Sequence, residues 1–314
     1  MLKLLAVVGP TATGKSDLAV DIAEKLNGEI ISCDSMQIYK GLDIGSGKLK
    51  LEDRKGILHH MLDIADIGEN YSVAQFAEAA KQLIEEINSR GKLPILAGGT
   101  GLYYQAVVDN YEFFSLEKRK DIRHKWEKII SDKGLNDVYA ELLKIDPDYA
   151  SKISANDKKR IVRALEVYEL TGKPFSEQQK KTALNYDLTV IGLNVERQEL
   201  YDRINRRVDR MLERGLLDEV LFLMEQGYDF ENNAMHALGY KQILYYYKGL
   251  SSYEETVAAI KKETRNYAKR QLTWFKKDKR IQWVNVDSKD DRESIFRKFY
   301  WIWEGHENKT CRES

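Results

Sequence analysis

Apolar positions along the chain change period several times, and each change marks an element. Leu2–Val8 is a nearly unbroken apolar run, the signature of a strand covered on both faces. From Asp17 the apolar residues Leu18, Ala19, Ile22, Ala23 and Leu26 recur at helical spacing until Asn27-Gly28 stops them. Glu29–Cys33 is a second short apolar strand that ends at Asp34. Ser72 and Gln75 have the spacing of a capping box, and Val73, Phe76, Ala80, Leu83, Ile84 and Ile87 then form one helical stripe ended by Gly91. Leu93–Ala97 is again a buried strand. Strand and helix in alternation predict right-handed crossovers and a mostly parallel sheet.

After residue 112 the long apolar runs vanish. Charged, helix-forming stretches follow at Leu116–Ile130, Leu135–Leu143 and Asp157–Leu170, the last stopped by Thr171-Gly172-Lys173-Pro174. Leu188–Leu193 is apolar and β-rich, so the chain is expected to rejoin the sheet there, and 197–280 reads as mainly helical. The predicted fold class is α/β: a P-loop-type, mostly parallel sheet flanked by helices, with an inserted all-helical domain. Residues 1–112 and 188–314 would form the core with its C-terminal helices, and 113–187 the insertion. No repeat of 20–50 residues is present.

Composition narrows the picture. With 314 residues, 43% of them apolar and 32% charged, the chain reads as a soluble globular protein of about two domains. Fifty basic residues balance fifty acidic ones, so only local clusters of charge can address a polyanion. Cys33 and Cys311 lack metal-ligand spacing and fit a reducing, cytoplasmic setting. The apolar start is seven residues long, contains Lys3 and runs into a glycine turn, so it is not read as a secretion signal. No stretch nears the ~18 apolar residues of a membrane span.

The strongest chemical signal is Gly9-Pro10-Thr11-Ala12-Thr13-Gly14-Lys15-Ser16, which fits G-x-x-x-x-G-K-[ST] between a predicted strand and helix. The glycines permit a tight turn, backbone N–H groups face a phosphate, and the helix N-terminus adds favourable potential. Lys15 supplies a point charge and the Ser16 hydroxyl can ligate Mg²⁺. The motif calls for a di- or triphosphate without naming it. The strand-end aspartate of nucleotide hydrolases is missing after Leu93–Ala97, where Gly98-Gly99-Thr100-Gly101 follows instead. Asp34 is the acidic residue that does end a strand. At that edge of a parallel sheet it could be a metal ligand, a general base or a turn cap.

Several blocks together resemble the tRNA dimethylallyltransferase (tRNA isopentenyltransferase) family. They are Gly9–Ser16, Asp34-Ser35-Met36-Gln37-Ile38-Tyr39, Gly98-Gly99-Thr100-Gly101-Leu102-Tyr103, Arg160-Ile161-Val162-Arg163-Ala164-Leu165-Glu166 and Gln271-Leu272-Thr273-Trp274-Phe275. The resemblance implies transfer of a dimethylallyl group from dimethylallyl diphosphate to N6 of the adenosine 3′ to the anticodon. It implies Asp34 as general base, and Thr13, Lys15, Thr100 and Arg123 as catalytic companions. Gly9, Pro10, Thr11, Ala12, Thr13, Gly14, Lys15 and Ser16 would hold the diphosphate with Mg²⁺ on Ser16. Asp34, Ser35, Met36, Gln37, Thr100, Arg123, Lys159, Arg160 and Arg163 would meet the anticodon stem-loop of a tRNA, with Gln37 reading the adenine edge. No protein partner or membrane is implied, and a monomer is expected. In Ala234–Gln242, His236 stands where many relatives are expected to carry arginine.

Residues 261–280 hold nine Lys/Arg, with Tyr267, Trp274 and Phe275 interleaved, a second expected RNA contact. His59-His60 is read as packing or a buried hydrogen bond. Two other function classes compete: a P-loop kinase for a small metabolite, which should carry an arginine-rich lid and a strand-end Asp, and a non-catalytic RNA-binding module, which leaves Asp34 and the glycine block without a role.

Overall fold

In a computed structural model of the chain, which describes residues 1–111, 120–178 and 186–313, the N-terminal apolar run becomes the strand at the middle of a sheet. The elements in chain order are β1 Leu2–Val8, α1 Lys15–Lys25, β2 Gly28–Ser32, β3 His59–His60, α2 Val73–Ser89, β4 Leu93–Gly98 and α3 Gly101–Val108. Then come α4 Lys120–Lys133, α5 Leu135–Ile145, α6 Pro147–Ala150, α7 Lys158–Thr171 and α8 Phe175–Gln178. The chain continues with β5 Tyr186–Val195, α9 Arg197–Glu213, α10 Leu216–Glu225, α11 Tyr240–Tyr247, α12 Tyr253–Phe275, β6 Ile281–Val286 and α13 Arg292–Glu313.

The six strands are all parallel, in the order β3-β2-β4-β1-β5-β6. Leu4 to Val8 are all buried because each face of β1 has its own helical layer. Leu5 and Val7 pack with Leu18, Ala19 and Ile22 of α1. Leu4, Ala6 and Val8 pack with Phe76, Ala80 and Ile84 of α2 and with Tyr104 and Val107 of α3. The capping box expected at Ser72 forms: its hydroxyl accepts from the Gln75 N–H, and the Gln75 side chain accepts from the Ser72 N–H. Register then sets the chemistry. Val8 lies beside Gly98 and Ser32 beside Ala97, so the turns that leave β1, β2 and β4 emerge at one edge of the sheet.

The chain divides into two compact units, Met1–Val108 with Asn185–Ser314, and Asp109–Leu184. Among its described residues the second carries helices α4 to α8. Trp126, Val138, Leu142, Ile161 and Leu165 form its core. Asp157 caps α7 by accepting from the Arg160 N–H at 3.2 Å, and Gly172 ends it at φ 68°. The predicted helix start at Leu116 lies outside the described residues. Strand β6 was not anticipated, and helix α13 falls among the C-terminal helices expected for 188–314 without having been placed. Their sequences follow the basic run 261–280, and β6 is an edge strand whose Gln282 and Asn285 face solvent, which dilutes the apolar signal. Among the described residues, no helix is long and apolar enough to cross a membrane.

Candidate active site

The phosphate loop owes its shape to two glycines and one threonine. Gly9 has φ 137°, and a Cβ there would lie 2.7 Å from the Leu193 carbonyl oxygen of β5. Gly14 caps α1 at φ 87° in the left-handed region. Thr13 is placed differently from the sequence expectation. It is buried, and its Oγ1 donates to the Pro10 carbonyl at 2.9 Å, so the hydroxyl braces the loop from inside and is not in the cavity wall. A buried hydroxyl needs such a partner. Lys15 Nζ also donates to the Pro10 carbonyl, at 2.6 Å.

The loop forms one side of a cavity of about 720 Å³. Lys15 and Ser16 meet Asp34–Gln37 from the end of β2, and Arg203, Arg207 and Arg210 from α9. Val208, Met211, Leu216 and Ile260 supply an apolar wall. One strand end and one helix start therefore place a carboxylate and an ammonium in the same space. Burial pushes the Asp34 carboxyl above the usual carboxylate range, against the pull of the Met36 N–H, Lys15 and Arg207. The Met36 N–H donates to Asp34 Oδ1 at 2.9 Å. Burial, then the nearby Arg207, lowers Lys15 to about 7, with Asp34 acting in the opposite sense. Burial, Arg210 and Arg214 oppose the charge of Arg207, and Asp34 favours it. Cations thus outnumber carboxylates around Asp34, an arrangement suited to a multiply charged anion.

Thr100 reaches Asp34 indirectly. Its Oγ1 accepts from the Ser35 N–H at 3.0 Å, and its own N–H donates to the Cys33 carbonyl at 3.1 Å. Gln37 lines the cavity, but its amide is engaged: Oε1 accepts from Ser32 Oγ at 2.8 Å and Nε2 donates to the Ser46 and Gly47 carbonyls at 3.4 Å. The Gly45–Gly47 wall is held from behind. Glu219 of α10 accepts from the N–H groups of Asp43, Ile44 and Gly45 at 3.2, 2.8 and 3.2 Å, and the Tyr240 hydroxyl donates to the same carboxylate at 2.5 Å. Gly47 abuts the Arg207 guanidinium so closely that a Cβ would displace it.

Arg123, Lys159, Arg160 and Arg163 lie in the helical unit. Arg123 forms a two-pronged pair with the buried Glu166, at 2.6 and 3.2 Å, and Arg163 approaches the same carboxylate at 3.5 Å. Arg160 pairs with its own cap, Asp157, at 3.4 Å, and Lys159 is exposed. In the run 261–280, Lys261 pairs with Asp209, Arg265 donates to Asn205 and Arg280 to Asp278, whereas Lys262, Lys269, Lys276, Lys277 and Lys279 are exposed. His60 bonds Glu29 at 2.8 Å and His59 the Ile57 carbonyl at 2.9 Å.

Reading the sequence missed the arginines of α9 and the inward face of α12. The signal was present in Arg203, Arg207 and Arg210, spaced i, i+4 and i+7 on one helix face, but such a stripe is ordinarily solvated. Donors for a metal are sparse. Among the described residues no group of three or more His, Cys, Asp or Glu could hold one. Ser16 and Asp34 offer two oxygen donors in the cavity wall. That set fits Mg²⁺, which takes few protein ligands and completes its shell with substrate phosphate and water.

A phosphate-loop motif, a cationic helix face and a buried carboxyl at the carboxyl edge of a parallel sheet define an α/β protein with a site suited to a phosphorylated ligand. Comparison with known proteins supplies the rest. The profile of the IPP transferase family matches residues 37–278. The tRNA dimethylallyltransferase of Syntrophomonas wolfei is 55% identical over 305 residues, 97% of this chain and 98% of its own. That of Caldanaerobacter subterraneus is 49% identical over 304 residues, 94% of this chain and 96% of its own. The crystal structure of a full-length tRNA isopentenylpyrophosphate transferase from Bacillus halodurans superposes with a TM-score of 0.76 at 42% identity, covering 100% of this chain and 99% of that one. A eukaryotic dimethylallyltransferase captured acting on tRNA gives 0.79 at 34% identity, covering 92% and 75%. The chain belongs to the IPP transferase family, the family of the tRNA dimethylallyltransferases, and it is an enzyme, a prenyltransferase.

Proposed function

We propose that the enzyme transfers a dimethylallyl group from dimethylallyl diphosphate to N6 of the adenosine 3′ to the anticodon of certain tRNAs, releasing diphosphate. The reading is supported most by one observation: Lys15 of the phosphate loop and the raised carboxyl of Asp34 line the same cavity. The exocyclic amine of adenine is a weak nucleophile because its lone pair is delocalised into the ring. As the C–N bond forms from that lone pair, N6 must lose a proton. Asp34 accepts it, and its raised affinity for protons suits the task. Such a base contributes roughly 10²–10⁴ in rate. The C–O bond of the donor breaks with its electron pair going to the diphosphate. The loop N–H groups, Lys15 and Arg207 stabilise the charge that collects there. Ser16 would hold Mg²⁺ beside the diphosphate, and the ion would neutralise part of that charge. The apolar residues Val208, Met211, Leu216 and Ile260 offer a dry wall for the hydrocarbon part.

A stacked adenine cannot reach Asp34, so the nucleotide is extruded from the anticodon loop, at a cost of about a few kcal/mol. Ser35, Met36 and Gln37 meet it at the cavity. Thr100 steadies Asp34 through Ser35. Lys159, Arg160, Arg163 and the exposed lysines of 261–280 supply contacts to tRNA phosphates. The Glu166 pairing fixes the Arg123 side chain within the helical unit.

Nucleoside mass spectrometry of tRNA incubated with the enzyme, Mg²⁺ and dimethylallyl diphosphate tests the reading. One adenosine, immediately 3′ to the anticodon, should gain one dimethylallyl group. Unmodified tRNA, or modification at another atom or position, would refute it.

A further inference from the structure

Helix α12 carries the Gln271–Phe275 block, to which the sequence gives no chemical role. Three of its residues, Tyr267, Gln271 and Trp274, are spaced i, i+4 and i+7 and face the glycine turn after β4. Gln271 is buried at 6% exposure and uses both ends of its amide. Its Oε1 accepts from the Thr11 N–H of the phosphate loop at 2.9 Å, and its Nε2 donates to the Gly99 carbonyl at 2.9 Å. The turn is cut to fit this side chain. A Cβ on Gly99 would collide with Gln271 Nε2, and one on Gly101 with the Trp274 indole. Gly99 precedes Thr100, whose hydroxyl holds the Ser35 N–H next to Asp34. Tyr267 lines the cavity beside Thr100 and Gln271.

We infer that Gln271 is a positioning residue that couples the donor and acceptor halves of the site. Its amide ties the phosphate loop to the Gly99-Thr100 turn, so that filling one half pre-orders the other. The chain of contacts runs Thr11, Gln271, Gly99-Thr100, Ser35, Asp34. The primary amide accepts from Thr11 and donates to Gly99 at once, which the isosteric thioether of methionine cannot do. Two sites joined by a bridge that each ligand helps to order should share a coupling free energy, and that coupling is reciprocal. The inference rests on the donor and acceptor assignment proposed above.

The test is calorimetric binding of inorganic pyrophosphate and of an anticodon stem-loop RNA, each alone and each in the presence of the other, in buffer with Mg²⁺. In the wild type each ligand should tighten the other by the same factor, at least ~5-fold. In Gln271→Met each ligand alone should bind with near wild-type affinity, and the factor should fall to about one. Gly99→Ala reaches the same bridge from the other side. It should give the same loss, and the double variant should lose nothing further. It also carries the test if Gln271→Met fails to fold. An absence of coupling in the wild type, or wild-type coupling in a folded variant, overturns the inference while leaving the proposed reaction in place. Failure of pyrophosphate to bind the wild type removes the donor site itself and this inference with it.

Discussion

One carboxylate sits near the start of strand β2 and another just past its end, and their surroundings could hardly differ more. Glu29 near its start is 1% exposed and fully partnered. Arg90 grips it with two bonds at 2.7 and 2.9 Å, Lys92 adds one at 2.9 Å and His60 another at 2.8 Å. Burial alone would raise its pKa, but the bonds from Lys92, Arg90 and His60 hold it down to about 2. Asp34, just past the other end, keeps only backbone N–H bonds and distant cations, and burial prevails. Five residues apart, one group is fixed as an anion and the other is left ready to take a proton. The first arrangement serves the fold and the second serves chemistry.

Exchanging charge for a neutral amide at each site should separate the two roles. Asp34→Asn should lower turnover by at least about 10² while thermal stability and tRNA affinity stay near wild type. A turnover loss matched by an equal loss of tRNA affinity would move Asp34 from catalysis to binding. The next effect in size belongs to the cations facing Asp34. Arg207→Ala should weaken pyrophosphate binding by roughly 10–100-fold, the range expected for a charged hydrogen bond, and isothermal calorimetry would measure it. Unchanged pyrophosphate affinity would take α9 out of the diphosphate cradle.

Glu29→Gln should do the reverse of Asp34→Asn. It leaves Arg90 and Lys92 beside a neutral group and should cost about 2 kcal/mol, less than the 3–5 of a fully desolvated pair because both cations are about a third exposed. Turnover per folded molecule should not change. Because the folded pKa of Glu29 lies below its ordinary 4.5, its contribution is present above that pH and is lost as pH falls toward 2. Urea unfolding of Glu29→Gln should therefore vary less over that window than wild type. The smallest effect is on the alkaline side. With Lys15 lowered to about 7, kcat/KM should fall as pH rises through that value, because the free enzyme loses the ammonium that meets the diphosphate. In kcat the same limb should move upward, since a bound diphosphate favours the charged form. An alkaline limb at one pH in both profiles would exclude Lys15 as its origin.

Much of this site was legible in the sequence because its local motifs have fixed geometry. Gly9 and Gly14 announced a turn that only glycine adopts, and Asp34 stood at a strand end where ligands bind. What could not be read were contacts made across the fold. The bridge from Gln271 to Thr11 spans 260 residues. Arg207 looked like one more charge on an amphipathic helix, since nothing in its neighbours says which face the sheet edge will meet. Thr13 was legible as part of the loop, but its inward rotamer follows from the buried hydroxyl needing an acceptor, which the Pro10 carbonyl supplies. Strand β6 was hidden for a related reason, since an edge strand need bury only part of its surface.

The identity of the proton acceptor is tested most directly by single-turnover rates across acid pH, with dimethylallyl diphosphate and tRNA both saturating. The wild-type rate should rise about tenfold per pH unit until it levels off above the usual carboxylate range. Asp34→Asn should leave a residual rate that does not vary over the same interval. The same acid limb in Asp34→Asn would assign the proton to another group and contradict the account.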